Sequence, residues 1–144
     1  MSVTLEEARD EVLGRVEATL YNIDALIRPT LLFEGVHAQP SGSEEGSWAW
    51  ASFKVLAGAQ ESMGGVGGTS LWRTTGSLVI EVYTSALRGL LSSDRICQAF
   101  RDGFRGYTSP GGVWFRNHRI ENVGISGSFY RSDVVIDFEY SERR

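Results

Sequence analysis

Apolar residues recur every four positions near the start of the chain: Ala8, Val12, Val16 and Leu20, with Leu5, Ile23 and Ile27 close to the same stripe. That spacing predicts an amphipathic helix over residues 5–27, closed before Pro29. Thr4-Leu5-Glu6-Glu7 has the form of a capping box, and Glu6, Glu7, Asp10 and Glu11 crowd the turns where the helix dipole favours negative charge. Thr30 to Val36 is a short apolar run that reads as a strand. Gln39 to Ser47 carries Pro40, Gly42 and Gly46 and reads as a loop. From Trp48 to about Leu56 the period becomes two, with Ala49, Ala51, Phe53 and Val55 on one face and Trp48, Trp50 and Ser52 on the other.

Residues 58–70 hold five glycines and almost nothing apolar, which predicts a flexible glycine-rich loop. Strand character returns over Leu71 to Thr84, a length at which Gly76 suggests a bulge. Ile96, Cys97, Phe100 and Phe104 have helical spacing within Leu90 to Arg105, with Gly106 at the position of a left-handed C-cap. Val113 to Arg119 and Ile120 to Ile125 read as extended. After a turn over Gly124 to Ser128, Phe129 to Tyr140 alternates: Val134, Ile136, Phe138 and Tyr140 face one side, Asp133, Val135, Asp137 and Glu139 the other. The order α-β-β-β-α-β-β predicts one α+β domain over residues 1–144, a largely antiparallel β-sheet with two α-helices packed on one face.

Composition narrows the function. With 144 residues, 42% hydrophobic and 11% aromatic, the chain can build a core and is not a disordered tail. It holds no run of about eighteen apolar residues, so no membrane-spanning helix is expected. Its acidic start is unlike a signal peptide, which leads to the expectation of a cytoplasm-like site of synthesis. A net charge of -4 gives no general affinity for nucleic acid or anionic lipid. Lys54 is the sole lysine among arginines, a bias that suits bidentate interface contacts but also arises from base composition.

The signatures of catalysis are weak. The glycine loop lacks the Gly-Lys-Ser/Thr ending of a phosphate loop, and there is no Gly-x-Ser-x-Gly elbow. His37 and His118 lack metal-ligand spacing. Cys97 falls on an apolar helical stripe and reads as core. No cofactor, no metal and no enzymatic activity are expected. Asp133, Asp137 and Glu139 share a strand face, most simply as the solvated side of the sheet. The tryptophans carry more information. Trp48 and Trp50 face away from Phe53 and Val55, so they form either a second core layer or an exposed interface patch.

Several segments, taken in order, resemble one family. They are Phe33-Glu34-Gly35, a Trp-led strand, and Trp72-Arg73-Thr74-Thr75-Gly76-Ser77-Leu78-Val79-Ile80-Glu81-Val82-Tyr83. Then come a helix after Gly89 ending in Phe100 and Phe104-Arg105-Gly106, the run Val123-Gly124-Ile125-Ser126-Gly127-Ser128-Phe129-Tyr130, and Phe138-Glu139-Tyr140. Over nearly its whole length the chain resembles the tail terminator (tail completion) proteins of long-tailed bacteriophages. The glycine-rich 58–70 segment and the Trp48/Trp50 pair depart from that pattern.

The resemblance implies a structural virion protein, assembled in the host cytoplasm and located at the head-proximal end of the tail. Six copies would close into a ring that stops tube polymerisation and offers a joining surface to the head connector. Its implied partners are itself, the tail tube protein, the head-tail connector protein and, in a contractile tail, the sheath protein. DNA would pass through the ring without specific binding, and no membrane is involved. Candidate ring or partner contacts are Trp48, Trp50, Gly64, Gly65, Gly67, Gly68, Trp72 and Arg73. Asp133, Asp137 and Glu139 are candidates to line the lumen, where negative charge repels phosphate. Two other roles compete: a head-closure or connector ring component, separated by binding to heads rather than tubes, and a small α+β ligand-binding domain or enzyme, separated by a deep pocket holding a histidine beside a carboxylate.

Overall fold

Thr4 starts the first helix as the motif predicts: its hydroxyl accepts the Glu7 backbone N–H at 3.2 Å and donates to the Glu7 carboxylate at 3.1 Å. The structure, a computed structural model, describes residues 3–35, 47–60, 71–85 and 90–143. Helix α1 (Leu5–Leu20) buries Ala8, Val12, Val16, Thr19 and Leu20. It ends at Leu20 rather than near residue 27. The last turn tightens as Asn22 and Ile23 donate to the Thr19 and Leu20 carbonyls. Asp24 then accepts the Leu26 N–H on its side chain, and Arg28 donates to the Tyr21 and Ile23 carbonyls. The Asp24 carboxylate offers the backbone a partner outside the helix, so the chain turns there while Ile23 stays buried.

Strand β1 (Thr30–Phe33) stops before the expected Val36 and pairs parallel to β2 (Trp48–Gln60). The other pairings are antiparallel, among β3 (Leu71–Ser85), β4 (Trp114–Ser126) and β5 (Phe129–Arg143), and the sheet order is β1-β2-β3-β5-β4. Residues 58–60, expected to open a flexible loop, continue β2, and the remainder of that segment lies outside the described residues. The expected bulge at Gly76 is instead on the facing strand, between Val55 and Ala57, and it leaves Leu56 67% exposed. Gly76 answers a different need. A Cβ there would lie 2.2 Å from the Lys54 carbonyl oxygen and 2.4 Å from Cζ of Phe138, whose ring stacks on Phe53 at 4.4 Å.

Helix α2 (Leu90–Gly103) follows β3, and Gly106 just beyond it takes the left-handed backbone expected of it. Arg15 of α1 grips the end of α2 by donating twice to the Gly103 carbonyl, at 2.9 and 2.7 Å, with its guanidinium 4.1 Å above the Tyr107 ring. The β4 residues that read as two extended segments form one strand, interrupted between Arg116 and Arg119 and between Asn122 and Gly124. Both helices cover one sheet face, where Ala49, Ala51, Leu78, Ile80, Val82, Val134, Ile136, Phe138 and Tyr140 close on Val12, Val16, Ile96, Cys97, Phe100 and Phe104. The fold is α+β, as the element order predicts.

Candidate assembly surfaces

The helix-free face of the sheet carries the side chains that the sequence singles out, and it is more tightly packed than expected. Trp48 stacks on Tyr83 with ring centroids 3.7 Å apart, and Phe129 meets Trp48 edge-on at 6.3 Å. With Trp50 and Leu32 they make a second hydrophobic cluster in which Trp48 is 5% and Trp50 8% exposed. The alternation placed both tryptophans on the correct face. The single chain already covers them, so they are a second core layer and not an exposed interface patch.

The acidic row is corrected in the same way. Asp133 and Glu139 do share a face with Asp137, but both are buried rather than solvated. Arg131 makes a forked contact to Asp133 at 3.0 and 3.1 Å, pairs with Glu81, and lies 5.7 Å from the Tyr83 ring centre. Arg73 reaches Glu139 at 3.4 Å. Asp137 is half-buried; Ser77 and Asn117 donate to it, each at 3.0 Å, and Arg119 stands at 3.5 Å. Burial opposes ionisation of Asp137, but those donors and the arginine outweigh it and hold its carboxyl below the usual range. Burial pushes Glu81 up despite Arg131, and burial with the neighbouring Glu81 charge does the same to the Tyr83 phenol. A bare acidic lining is therefore not what this face presents. Its carboxylates come with their counter-ions.

The other expected contact residues do not gather. Trp72 and Arg73 point to opposite faces, at the far end of the strands from Trp48. Trp72 lines a hollow of about 250 Å³ on the helix side with Leu5, Val55, Gly58 and Tyr140. Gly64, Gly65, Gly67 and Gly68 lie outside the described residues, as does His37. His118 donates its ring Nε2 to the Phe104 carbonyl at 3.1 Å. The Cys97 thiol is buried and pushed up to about 12, mainly by that burial. Among the described residues no group of three or more metal-ligating side chains comes together.

Two features escaped the sequence reading. The first is apolar exposure at both ends of the strands. Leu5 is exposed at the end where Val3 donates to the Ser141 carbonyl, and Val55 and Leu56 are exposed at the bulge of β2. Leu90, Leu91 and Ile125 are exposed at the opposite end, where β3 finishes and β5 begins, and Leu26, 85% exposed, sits in the connection leading to β1. The second is an open sheet edge. β1 covers β2 only from Trp48 to Ala51, closed by the Glu34 N–H to the Ala51 carbonyl. Among the described residues nothing pairs with the outer edge of β2 from Phe53 onward. A second hollow of about 400 Å³ opens where β1 stops, lined by Arg9, Asp10, Leu13, Glu34, Gly35 and Phe53. Adjacent apolar Val55-Leu56, which breaks the alternation, was the available sequence signal.

No protein-family model matches the chain, and no curated protein matches it either. Many solved chains are similar to it, among them two that span nearly its whole length. One, known only by a serial identifier, superposes with a TM-score of 0.68 at 12% identity, covering 96% of both chains. The other is a chain from the virion of a native gene transfer agent particle, with a TM-score of 0.48, 18% identity, and coverage of 90% of this chain and 97% of that one. At 12% identity the first likeness is one of fold, and it places this α+β architecture among solved proteins across nearly the whole chain.

Proposed function

We propose that the chain is a structural virion protein that caps the head-proximal end of a phage tail tube as a ring, a spacer between two unlike neighbours. The ordered run of segments resembling tail terminators supports this reading, and one geometric observation carries it. Large apolar side chains are exposed at both ends of the strands, Leu5 at one and Leu90, Leu91 and Ile125 at the other, with Val55 and Leu56 at the bulge of β2 between them. Exposed apolar groups of this kind mark contact surfaces, and two sets at opposite poles fit a component held between a tube below and a connector above. A hexamer is the stoichiometry that the resemblance implies, and such a ring needs two different patches on each chain.

The test is to polymerise the cognate tail tube protein with and without the purified chain and image the products. Capping predicts ring-shaped density at one end of each tube and arrested growth at that end. Bare ends and an unchanged length distribution refute the proposal. A chain that binds connectors and ignores tubes is instead a head-closure component.

A further inference from the structure

The outer edge of β2 beyond Ala51 is not a plain free edge. Helix α1 runs beside it with Leu5, Arg9 and Leu13 spaced four residues apart, and the Arg9 guanidinium lies 5.5 Å from the centre of the Phe53 ring. One hollow lies between α1 and this edge, at Leu13 and Phe53; the other crosses the helix side of the sheet, from Leu5 and Val55 to Trp72 of β3 and Tyr140 of β5. The first opens where β1 stops and forms a short trough beside the β2 edge, which among the described residues has no strand partner from Phe53 onward. An extended strand fits such a place, because main-chain hydrogen bonds give affinity and alternate side chains fill the hollow.

We propose that this trough receives the outer edge of β4 from a second copy of the same chain. The inference rests on the ring reading above and names the contact that would build it. Strand direction is the first argument. β2 is antiparallel to β3, β3 to β5 and β5 to β4, so β2 and β4 run in opposite directions. A copy brought alongside by rotation about an axis along the strands keeps its direction and its helix side. Its β4 therefore meets β2 antiparallel, with helices matched to helices. Charge is the second argument. On the helix-free face Lys54 of β2 and Glu121 of β4 are both exposed and of opposite sign. The register breaks divide β4 into Trp114–Arg116, Arg119–Asn122 and Gly124–Ser126, which blunts the edge against indiscriminate pairing and leaves the four-residue middle segment as the longest able to dock.

The contact is heterologous, and cross-linking reads that directly. Single-cysteine variants Lys54→Cys and Glu121→Cys are treated with a short bismaleimide, separately and mixed, at high concentration and with tail tubes present. Buried Cys97 stays silent in both. The expected result is covalent dimer in the mixture at more than ten times the yield of either variant alone, and a ladder of higher species from the double variant. Equal yields from the separate variants, or none in the mixture while the unsubstituted chain forms rings by native mass spectrometry, overturn this contact and leave the ring reading standing. A chain that remains single in solution and on tube ends overturns both. The charge exchange Lys54→Glu with Glu121→Lys guards against misfolding: each substitution alone reduces ring yield, and the pair restores it.

Discussion

Substituting Gly76 by alanine tests how the sheet is built, because the obstacle is defined on two sides. The added Cβ would sit 2.2 Å from the Lys54 carbonyl oxygen, a backbone atom in the adjacent strand, and 2.4 Å from the Phe138 ring. Phe138 is fully buried and stacked on Phe53, so neither neighbour can swing away as a surface side chain would. Overpacking a core costs about 1–3 kcal/mol, and with both obstacles fixed the upper part of that range applies. The reduced freedom of the unfolded chain returns about 0.4–1 kcal/mol. A net loss of about 2 kcal/mol follows, or roughly 6–8 °C in Tm for a domain of this size. Gly14→Ala is the matched control: it lies inside α1 with no heavy atom within 4 Å of the new Cβ. There alanine gains about 0.8–1 kcal/mol of helix propensity. Urea unfolding followed by tryptophan fluorescence should move the two midpoints in opposite directions at an unchanged slope. A Gly76→Ala midpoint indistinguishable from that of the unsubstituted chain would refute the packing argument.

Trp48→Phe keeps a ring on Tyr83 and removes a buried indole N–H that has no partner among the described residues, so its stability should stay within about 1 kcal/mol, whereas Trp48→Ala should lose about 3–5 kcal/mol in thermal unfolding. Asp137 has a depressed folded-state pKa, so it stabilises the fold above its ordinary value of 3.8 and that contribution is lost as pH falls through the folded value; Asp137→Asn should be less stable at neutral pH and converge with the unsubstituted chain in acid melts. Glu81 is shifted the other way, so the fold loses stability as pH rises from 4.5 through the raised value; Glu81→Gln should flatten that decline in melts taken from pH 4 to 7. Cys97 should react with Ellman's reagent only at the rate of global unfolding, and rapid labelling of the native chain would contradict its burial.

Element order was legible because both helices and the alternating strands have clean periods, and the faces of Trp48, Trp50 and the Asp133–Glu139 row follow from parity alone. What parity does not carry is coverage. Glu139 is neutralised by Arg73, sixty-six positions away in the chain, and Trp48 is covered by Tyr83 from the next strand. Those partners are set by strand order and register. The helix end was missed because Ile23 and Ile27 continue the apolar stripe while Asp24 and Arg28 turn the backbone. Gly76 was misread because a glycine at a bulge and a glycine under an aromatic ring look the same in sequence. The open edge of β2 depends on where a four-residue parallel strand stops, and no hydrophobic pattern encodes that.

The pairing of charges on the helix-free face has a consequence for anything that slides past it. Among the described residues Lys54, Arg73, Arg116, Arg119 and Arg131 stand on it with Glu34, Glu81, Glu121, Asp133, Asp137 and Glu139, so neither sign dominates. Most of them are already engaged with one another. A polyanion moving along such a wall finds neither a row of cations to grip it nor a barrier of like charge to hold it off centre. The surface is electrically smooth: its drag on a passing duplex would come from shape and water, and adding salt would barely change it.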